Sequence, residues 1–285
     1  MNNTKIVFFG NSAFSVFCLD ELKNLVTVPS LIITSPDSKA GRGLKLEANP
    51  VKLWAIKNNI EFLTPAKLDP DFLNVLRSRF YDIFLVASYG KIIPRNIIDL
   101  PKYGTLNIHP SLLPKYRGPS PLQKQILNDE KDIGVTVMKM DEQVDHGSII
   151  AQEKISIMNW PVRFEDFEEI TAKVGTELFA KILPDWTAGK ITLQEQNHTD
   201  ATFTKKVEKN DGLLDLEFSK SHENYLKTRA YSLWPGTFFF INKGGQKFRV
   251  IIKESEYVDG KFIIKKVLPE GKKEMLYQDF LRGLI

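Results

Sequence analysis

The chain has 285 residues, 42% of them hydrophobic and 26% charged, with a formal net charge of +4. That length allows one large or two ordinary domains with a full core, as in an ordinary soluble protein. No run approaches the roughly 18 apolar residues of a membrane helix, so no membrane partner is expected.

The start, MNNTKIVFFGNS, has no basic n-region and too short an apolar run for a signal segment. Cys18 is the one cysteine in the sequence, so no intramolecular disulfide can form, and a reducing, cytoplasmic setting is expected. The charge is uneven: residues 200–285 carry 16 Lys and Arg against 12 Asp and Glu, whereas the earlier residues carry 23 of each. A basic C-terminal segment can meet a polyanion or be merely solvated.

In chain order, KIVFFG (5–10) predicts the first strand. Its end, FFGNS, resembles a nucleotide-binding turn in having Gly10 where the backbone must turn and Asn11 or Ser12 to cap a helix. GxGxxG is absent, so the turn is read as structural and neither nicotinamide nor flavin is expected. FSVFCLDELKNL follows with helical spacing, then SLIITS (30–35) as a strand.

PDSKAGRGLKLEANP (36–50) is too long and Gly-rich for a routine connection between strand and helix. It predicts a flexible loop carrying Lys39, Arg42 and Lys45, suited to a phosphate backbone or simply to solvent. Helical spacing returns in PVKLWAIKNN and PDFLNVLRSRF, before strands at DIFLVAS (82–88) and TLNIH (105–109).

Asn107 and His109 stand two apart on TLNIH, so both side chains leave one face, roughly 6.5–7 Å apart. If the strand is parallel, both lie near its carboxyl end, where doubly wound sheets place ligands. Pro110 ends regular pairing, and SLLP after it is expected to run extended with backbone groups open to a ligand. SPLQKQILND has helical spacing, and GVTVMKM (134–140) reads as a strand.

MDEQVDHGSII (140–150) then offers Asp141, Glu142 and Asp145 before a turn at Gly147 and a further strand. If the preceding strand neighbours TLNIH, one carboxylate can reach His109, where it would support the imidazolium and fix the tautomer. Asp145 is the better candidate because it lies nearest the Gly turn. His146 could pair with His109 at a metal, but no HxH, HExxH or cysteine pair accompanies it, and no metal is expected.

A long helix is predicted from Phe164 to about Ile182, then the polar stretch KITLQEQNHTDATFTKK. One more helix, SKSHENYLKTRAYS, precedes strands at TFFFIN, KFRVIIKESEY and KFIIKKV, joined by GG and DG turns. The expected architecture is a doubly wound, mostly parallel α/β sheet over 1–189, a linker over 190–204, and a smaller β domain over 205–285.

No protein nucleophile accompanies Asn107, His109 and Asp145, because Cys18 lies on an amphipathic helix and Ser111 lacks a GxSxG context. An amide, an imidazole and a carboxylate suit direct acyl transfer between two bound substrates. Asn107 would donate to the oxyanion, an interaction typically worth about 3–4 kcal/mol. His109 would bind the same oxyanion or move a proton, for about 10²–10⁴-fold. Asp145 would hold His109 or accept the amine proton through a water.

NIHPSLLPKYRG and VDHG together resemble the folate-dependent formyltransferases. The resemblance implies Asn107, His109 and Asp145 as the catalytic triad and Ser111, Leu112, Leu113 and Pro114 as tetrahydrofolate contacts. PDSKAGRGLKL, TKKVEKNDGLLDL with RAYSLWPGTFF, and VLPEGKKEMLYQDFLRG resemble the members that formylate methionyl initiator tRNA. That narrower likeness implies 10-formyltetrahydrofolate as donor, a Rossmann-like catalytic domain, an OB-like barrel that binds tRNA, and a monomer. It also places Arg42, with Lys39 and Lys45, against the tRNA acceptor end.

The first turn, FGNSAFS, departs from the family's common Thr-Pro after the glycine, and the C-terminal domain is short. A formyltransferase for a nucleotide-linked amino sugar or glycinamide ribonucleotide would share the triad without needing the AGRG loop. An RNA-binding protein built on a dead formyltransferase core would not need an intact triad.

Overall fold

The computed structural model describes residues 4–40 and 45–284. The chain divides into two compact units, one of 1–119, 132–156 and 168–203, the other of 120–131, 157–167 and 204–285.

The first unit opens with β1 (Ile6–Phe9), α1 (Ala13–Asn24), β2 (Leu31–Ile33), and a short antiparallel pair, β3 (Ser38–Ala40) and β4 (Lys45–Glu47). There follow α2 (Pro50–Lys57), β5 (Phe62–Leu63), α3 (Pro70–Arg77), β6 (Ile83–Val86), α4 (Arg95–Ile98) and β7 (Thr105–His109). The helix starts are written locally. Ser12 makes a capping box with Ser15 at α1, while Asn49 and Asp69 accept backbone N–H groups at α2 and α3 ahead of a proline in the first turn.

After α5 (Pro121–Leu127), which belongs to the second unit, come β8 (Gly134–Lys139), β9 (Ile149–Lys154) and α6 (Phe164–Thr187). Among the described residues, seven strands form one sheet in the order β5-β2-β1-β6-β7-β8-β9. The pairs from β5 to β7 are parallel, whereas β8 runs antiparallel to β7 and β9 antiparallel to β8. This is the expected doubly wound, mostly parallel sheet.

Both faces of the sheet are apolar through its middle. Ile6, Phe8, Ile83 and Leu85 join one buried cluster with residues of α1 and α6, while Val7, Phe9, Phe84 and Val86 join another with residues of α3. At β7 the two faces part company. Leu106 and Ile108 stay in the first cluster, whose burial typically stabilises by about 1.5–3 kcal/mol per side chain. The opposite face, which carries Val86 on β6, carries Asn107 at the paired position of β7.

α6 presses closely on this strand. A methyl group on Gly175 would sit 2.5 Å from Ile108 Cγ2, so only glycine allows the approach.

The stretch 36–50 is not one open loop, as its composition suggested. Ser38 pairs with Glu47 and Lys39 with Leu46, so the two sides of the stretch satisfy each other's backbone groups. Arg42 lies outside the described residues, as do the side chains of Lys39 and Lys45.

In the second unit, α7 (Ser221–Ala230) precedes β10 (Thr237–Lys243), β11 (Gln246–Val258), β12 (Lys261–Pro269), β13 (Met275–Leu276) and α8 (Tyr277–Arg282). Among the described residues these four strands form an antiparallel sheet in chain order. The turns fall at Gly244–Gly245 and Asp259–Gly260, all four residues with positive φ, as two-residue hairpin loops require. Phe239, Val250, Ile252, Val267 and Phe280 form its core, and α7 packs on β11 and β12.

No described helix is long and apolar enough to cross a membrane.

Candidate active site

β7 delivers the polar pair where its sequence pattern indicated. Asn107 and His109 are buried on one face at the carboxyl end of a strand that is parallel to β6. β8 runs back beside them, with Thr136 opposite His109 and Met138 opposite Asn107. The connection from β8 to β9 then brings Asp145 over the same face. Its Oδ1 lies 3.5 Å from both Asn107 Nδ2 and His109 Nδ1.

Those two distances are at the outer limit of hydrogen bonding, whereas the other carboxylate oxygen is firmly held. Asp145 Oδ2 accepts from the Gly118 backbone N–H at 2.7 Å. The carboxylate is therefore anchored through one oxygen, and the other is aimed between the amide and the imidazole.

The turn that places Asp145 depends on Gly147, where a methyl group would stand 1.9 Å from the Lys139 carbonyl oxygen. Asp145 itself takes φ 50°, and Tyr116, in the facing loop, takes φ 62°. A left-handed conformation costs a residue with a side chain roughly 1–2 kcal/mol, and such strain gathers at functional sites.

His109 Nε2 lies 3.0 Å from the Tyr116 carbonyl oxygen. A carbonyl only accepts, so Nε2 carries a proton and Nδ1 is the nitrogen turned toward Asp145.

Among the three carboxylates of the 140–148 turn, the structure separates the roles. Asp141 Oδ2 is 2.6 Å from His146 Nδ1, and His146 stacks on His198 at 4.1 Å. Glu142 is exposed and Asp145 alone of the three meets His109. Among the described residues no group of three or more His, Cys, Asp or Glu is placed to hold a metal ion.

The SLLP segment differs from expectation. It forms a turn, and most of its backbone groups are occupied within the protein rather than open to a ligand. Ser111 N–H donates to the His109 carbonyl, and Leu113 N–H donates to Thr136 Oγ1. The Ser111 carbonyl accepts from Thr136 Oγ1, and the Leu113 carbonyl from Gln152 Nε2. The reason is that β8 runs antiparallel beneath the segment and presents Thr136 to it, a pairing invisible in the sequence. Ser111 and Leu113 are buried, while Leu112 and Pro114 are half-buried.

No cysteine competes for the chemistry. Burial pushes the Cys18 thiol up to about 12, which leaves it protonated and unreactive at neutral pH.

One contributor was missed by sequence reading. Gln196, from the polar stretch after the long helix, is buried and donates through Nε2 to the carbonyls of Asp145 and Gly147 at 2.9 and 2.7 Å. A lone Gln in a polar run carries no signal of this. Arg117, in the loop facing Asp145, is also buried, and burial lowers its pKa from the usual guanidinium value.

The sequence and the fold have counterparts among known proteins. A family model described as formyl transferase matches residues 4–183. A methionyl-tRNA formyltransferase of Thermotoga maritima is 35% identical over 98% of this chain and 95% of its own length. One from Dictyoglomus turgidum is 32% identical over 98% and 96%.

Among solved structures, a methionyl-tRNA formyltransferase from Clostridium thermocellum superposes with a TM-score of 0.60 at 16% identity, covering 93% of this chain and 98% of its own. A 4-N formyltransferase from Francisella tularensis gives 0.63 at 24% identity, covering 85% and 95%. At such identities the superpositions speak for the fold alone.

Proposed function

The chain belongs to the formyl transferase family, on the branch of the methionyl-tRNA formyltransferases, and from that premise we propose that it formylates the α-amine of methionyl initiator tRNA. The formyl donor in this reading is 10-formyltetrahydrofolate. The observation that carries the chemistry is the convergence of Asn107 Nδ2 and His109 Nδ1 on one oxygen of Asp145.

The reaction is a direct acyl transfer. The amine nitrogen attacks the formyl carbon, a C–N bond forms, and the carbonyl electrons move onto oxygen. Collapse of that tetrahedral intermediate breaks the bond from carbon to N10 of the folate, N10 gains a proton, and the amine nitrogen loses one. An α-amine has an ordinary pKa near 7.7–8.0, so an appreciable fraction is already neutral at pH 7. No strong base is required.

Asn107 and His109 are the groups that meet the oxyanion. Their contacts to Asp145 are long and weak, so Asn107 Nδ2 can turn to a stronger acceptor as charge develops, and His109 Nδ1 can do so in the protonated ring, because Nε2–H is already given to Tyr116. Removing one such donor typically costs about 2.7–4 kcal/mol. Asp145 Oδ1, left loosely engaged, takes the amine proton directly or through a water, while Gly118 N–H keeps the carboxylate in place. Ser111, Leu112, Leu113 and Pro114 are the proposed folate contacts, and their rigid, internally bonded backbone favours shape over new backbone hydrogen bonds.

We assign 1–189 to the formyltransferase domain, 190–204 to a linker and 205–285 to an OB-like domain for tRNA. Its sheet supports that role with one exposed aromatic ring beside a cation: Lys247 Nζ is 4.2 Å from the ring of Phe240, which is exposed, a combination suited to a nucleic acid backbone and its bases. Lys39, Arg42 and Lys45 are assigned to the acceptor end of the tRNA. A role in initiating translation places the protein in the cytoplasm.

The solved relatives include sugar N-formyltransferases of similar fold, so the fold does not choose the acceptor. Competition between methionyl initiator tRNA and nucleotide-linked amino sugars for the same formyl donor tests the assignment.

A further inference from the structure

Three consecutive residues, Tyr116, Arg117 and Gly118, each hold a different part of the site. The Tyr116 carbonyl accepts from His109 Nε2, and Gly118 N–H donates to Asp145 Oδ2. Between them, Arg117 donates from Nε and NH2 to Gln196 Oε1 at 3.1 and 2.6 Å. Gln196 in turn donates from Nε2 to the carbonyls of Asp145 and Gly147.

The orientation of the Gln196 amide follows from this arrangement. A guanidinium has only donors, so Oε1 must face Arg117, and the two Nε2 protons are left for the two carbonyls. A primary amide has two donors and two acceptor sites, and these four bonds use all of them. Gln196 therefore acts as a rigid two-pronged support under the Asp145–Gly147 backbone, at the one residue of that turn whose φ is positive despite carrying a side chain.

We propose that Arg117 and Gln196 are positioning residues for the formyl transfer. Arg117 locks the Gln196 amide, and Gln196 pins the strained backbone of Asp145 so that its carboxylate meets Asn107 and His109. The inference rests on the reading of Asn107, His109 and Asp145 as the catalytic groups.

The Arg117 end of the relay is itself fixed. Tyr116 N–H donates to Thr202 Oγ1 at 2.8 Å and Arg117 N–H to the Thr202 carbonyl at 2.8 Å. Arg117 NH2 lies 2.8 Å from His198 Nδ1, which as the acceptor must be unprotonated. A donor fork is required rather than a point charge, because two nitrogens of Arg117 reach Gln196 Oε1. Lysine keeps the charge but not the fork.

The test uses the full chain with Gln196→Met, which keeps the side-chain length and removes all four bonds, and the milder Arg117→Lys. Two readouts are taken. One is steady-state formylation, resolved into kcat and KM for donor and acceptor. The other is hydrogen exchange of the Gly118 amide, which reports whether Asp145 Oδ2 is still in place.

Misplacement of a catalytic group by ~1 Å can cost about 10²-fold, so kcat in Gln196→Met is expected to fall by about 10–100-fold while both KM values stay within about twofold. Gly118 exchange is expected to quicken by about tenfold or more, with core amides of β1 and β6 unchanged. Arg117→Lys should show the same pattern at smaller size.

A Gly118 amide as protected in both variants as in the native chain overturns the proposal, and so does a native kcat in Gln196→Met. Uniform loss of protection across β1 and β6 in both variants also overturns it, since that would mark a general stability role. A native chain that fails to formylate tRNA would sink the functional reading instead, and the Gly118 comparison would still decide this one.

Discussion

The Nε2 of His109 lies 3.0 Å from the carbonyl oxygen of Tyr116, a pairing that fixes the ring proton and turns Nδ1 toward Asp145. His109 is thus held from behind by a backbone group that cannot change protonation. In His109→Ala, kcat should drop by about 10²–10⁴-fold, the usual worth of a positioned acid or base. The Tyr116 carbonyl would lose its donor at a cost of about 1–3 kcal/mol, so far-UV circular dichroism and thermal melting must accompany the kinetics. A folded His109→Ala protein with near-native turnover would remove the imidazole from the mechanism.

Gly147→Ala tests whether the 140–148 turn is what delivers Asp145. With the added methyl 1.9 Å from the Lys139 carbonyl oxygen, the turn has to open. Overpacking of this kind typically costs about 1–3 kcal/mol, read as a lower midpoint in urea, and kcat should fall with it. A variant of unchanged midpoint and unchanged kcat would show that the turn has room that the structure denies it.

How far the sequence alone led can be judged at particular residues. TLNIH became β7 with the expected bounds, because alternating polar and apolar residues at the end of a parallel run have few other uses. Asp145 followed from its nearness to the Gly147 turn. The GG and DG turns of the C-terminal sheet followed from the positive φ that hairpin loops demand. What stayed hidden depends on long-range pairing: Thr136 beneath SLLP lies 25 residues from Ser111 along the chain. Gln196 lies 79 residues from the Arg117 that orients it. Neither partner alters local propensity, so no periodicity announces it.

Cys18 gives a prediction with a definite sign. Burial raises its thiol from 9.0 to about 12, so the folded state holds the proton where the unfolded chain releases it. The stabilisation from the neutral thiol is complete below about pH 9 and fades as the pH rises toward 12. Urea midpoints should therefore decline more steeply above pH 9 in the native chain than in Cys18→Ala. Iodoacetamide at pH 8 should leave the folded chain unmodified, and rapid alkylation without unfolding would contradict the burial.

Arg42 is assigned to the tRNA through the basic 36–50 stretch. Loss of one phosphate contact should lower the slope of log affinity against log salt by about 1. For Arg42→Ala the expectation is a higher KM for tRNA, an unchanged KM for the folate donor and that reduced slope. An unaltered slope would take Arg42 out of the interface.

The most direct measurement of the central claim is formyl transfer by the purified chain from 10-formyltetrahydrofolate, with methionyl initiator tRNA, a nucleotide-linked amino sugar and glycinamide ribonucleotide offered as separate acceptors. The expected product is N-formylmethionyl-tRNA, formed by the native chain and lost in His109→Ala. Formylation of the sugar or of the nucleotide amine, with the tRNA left untouched, would contradict it.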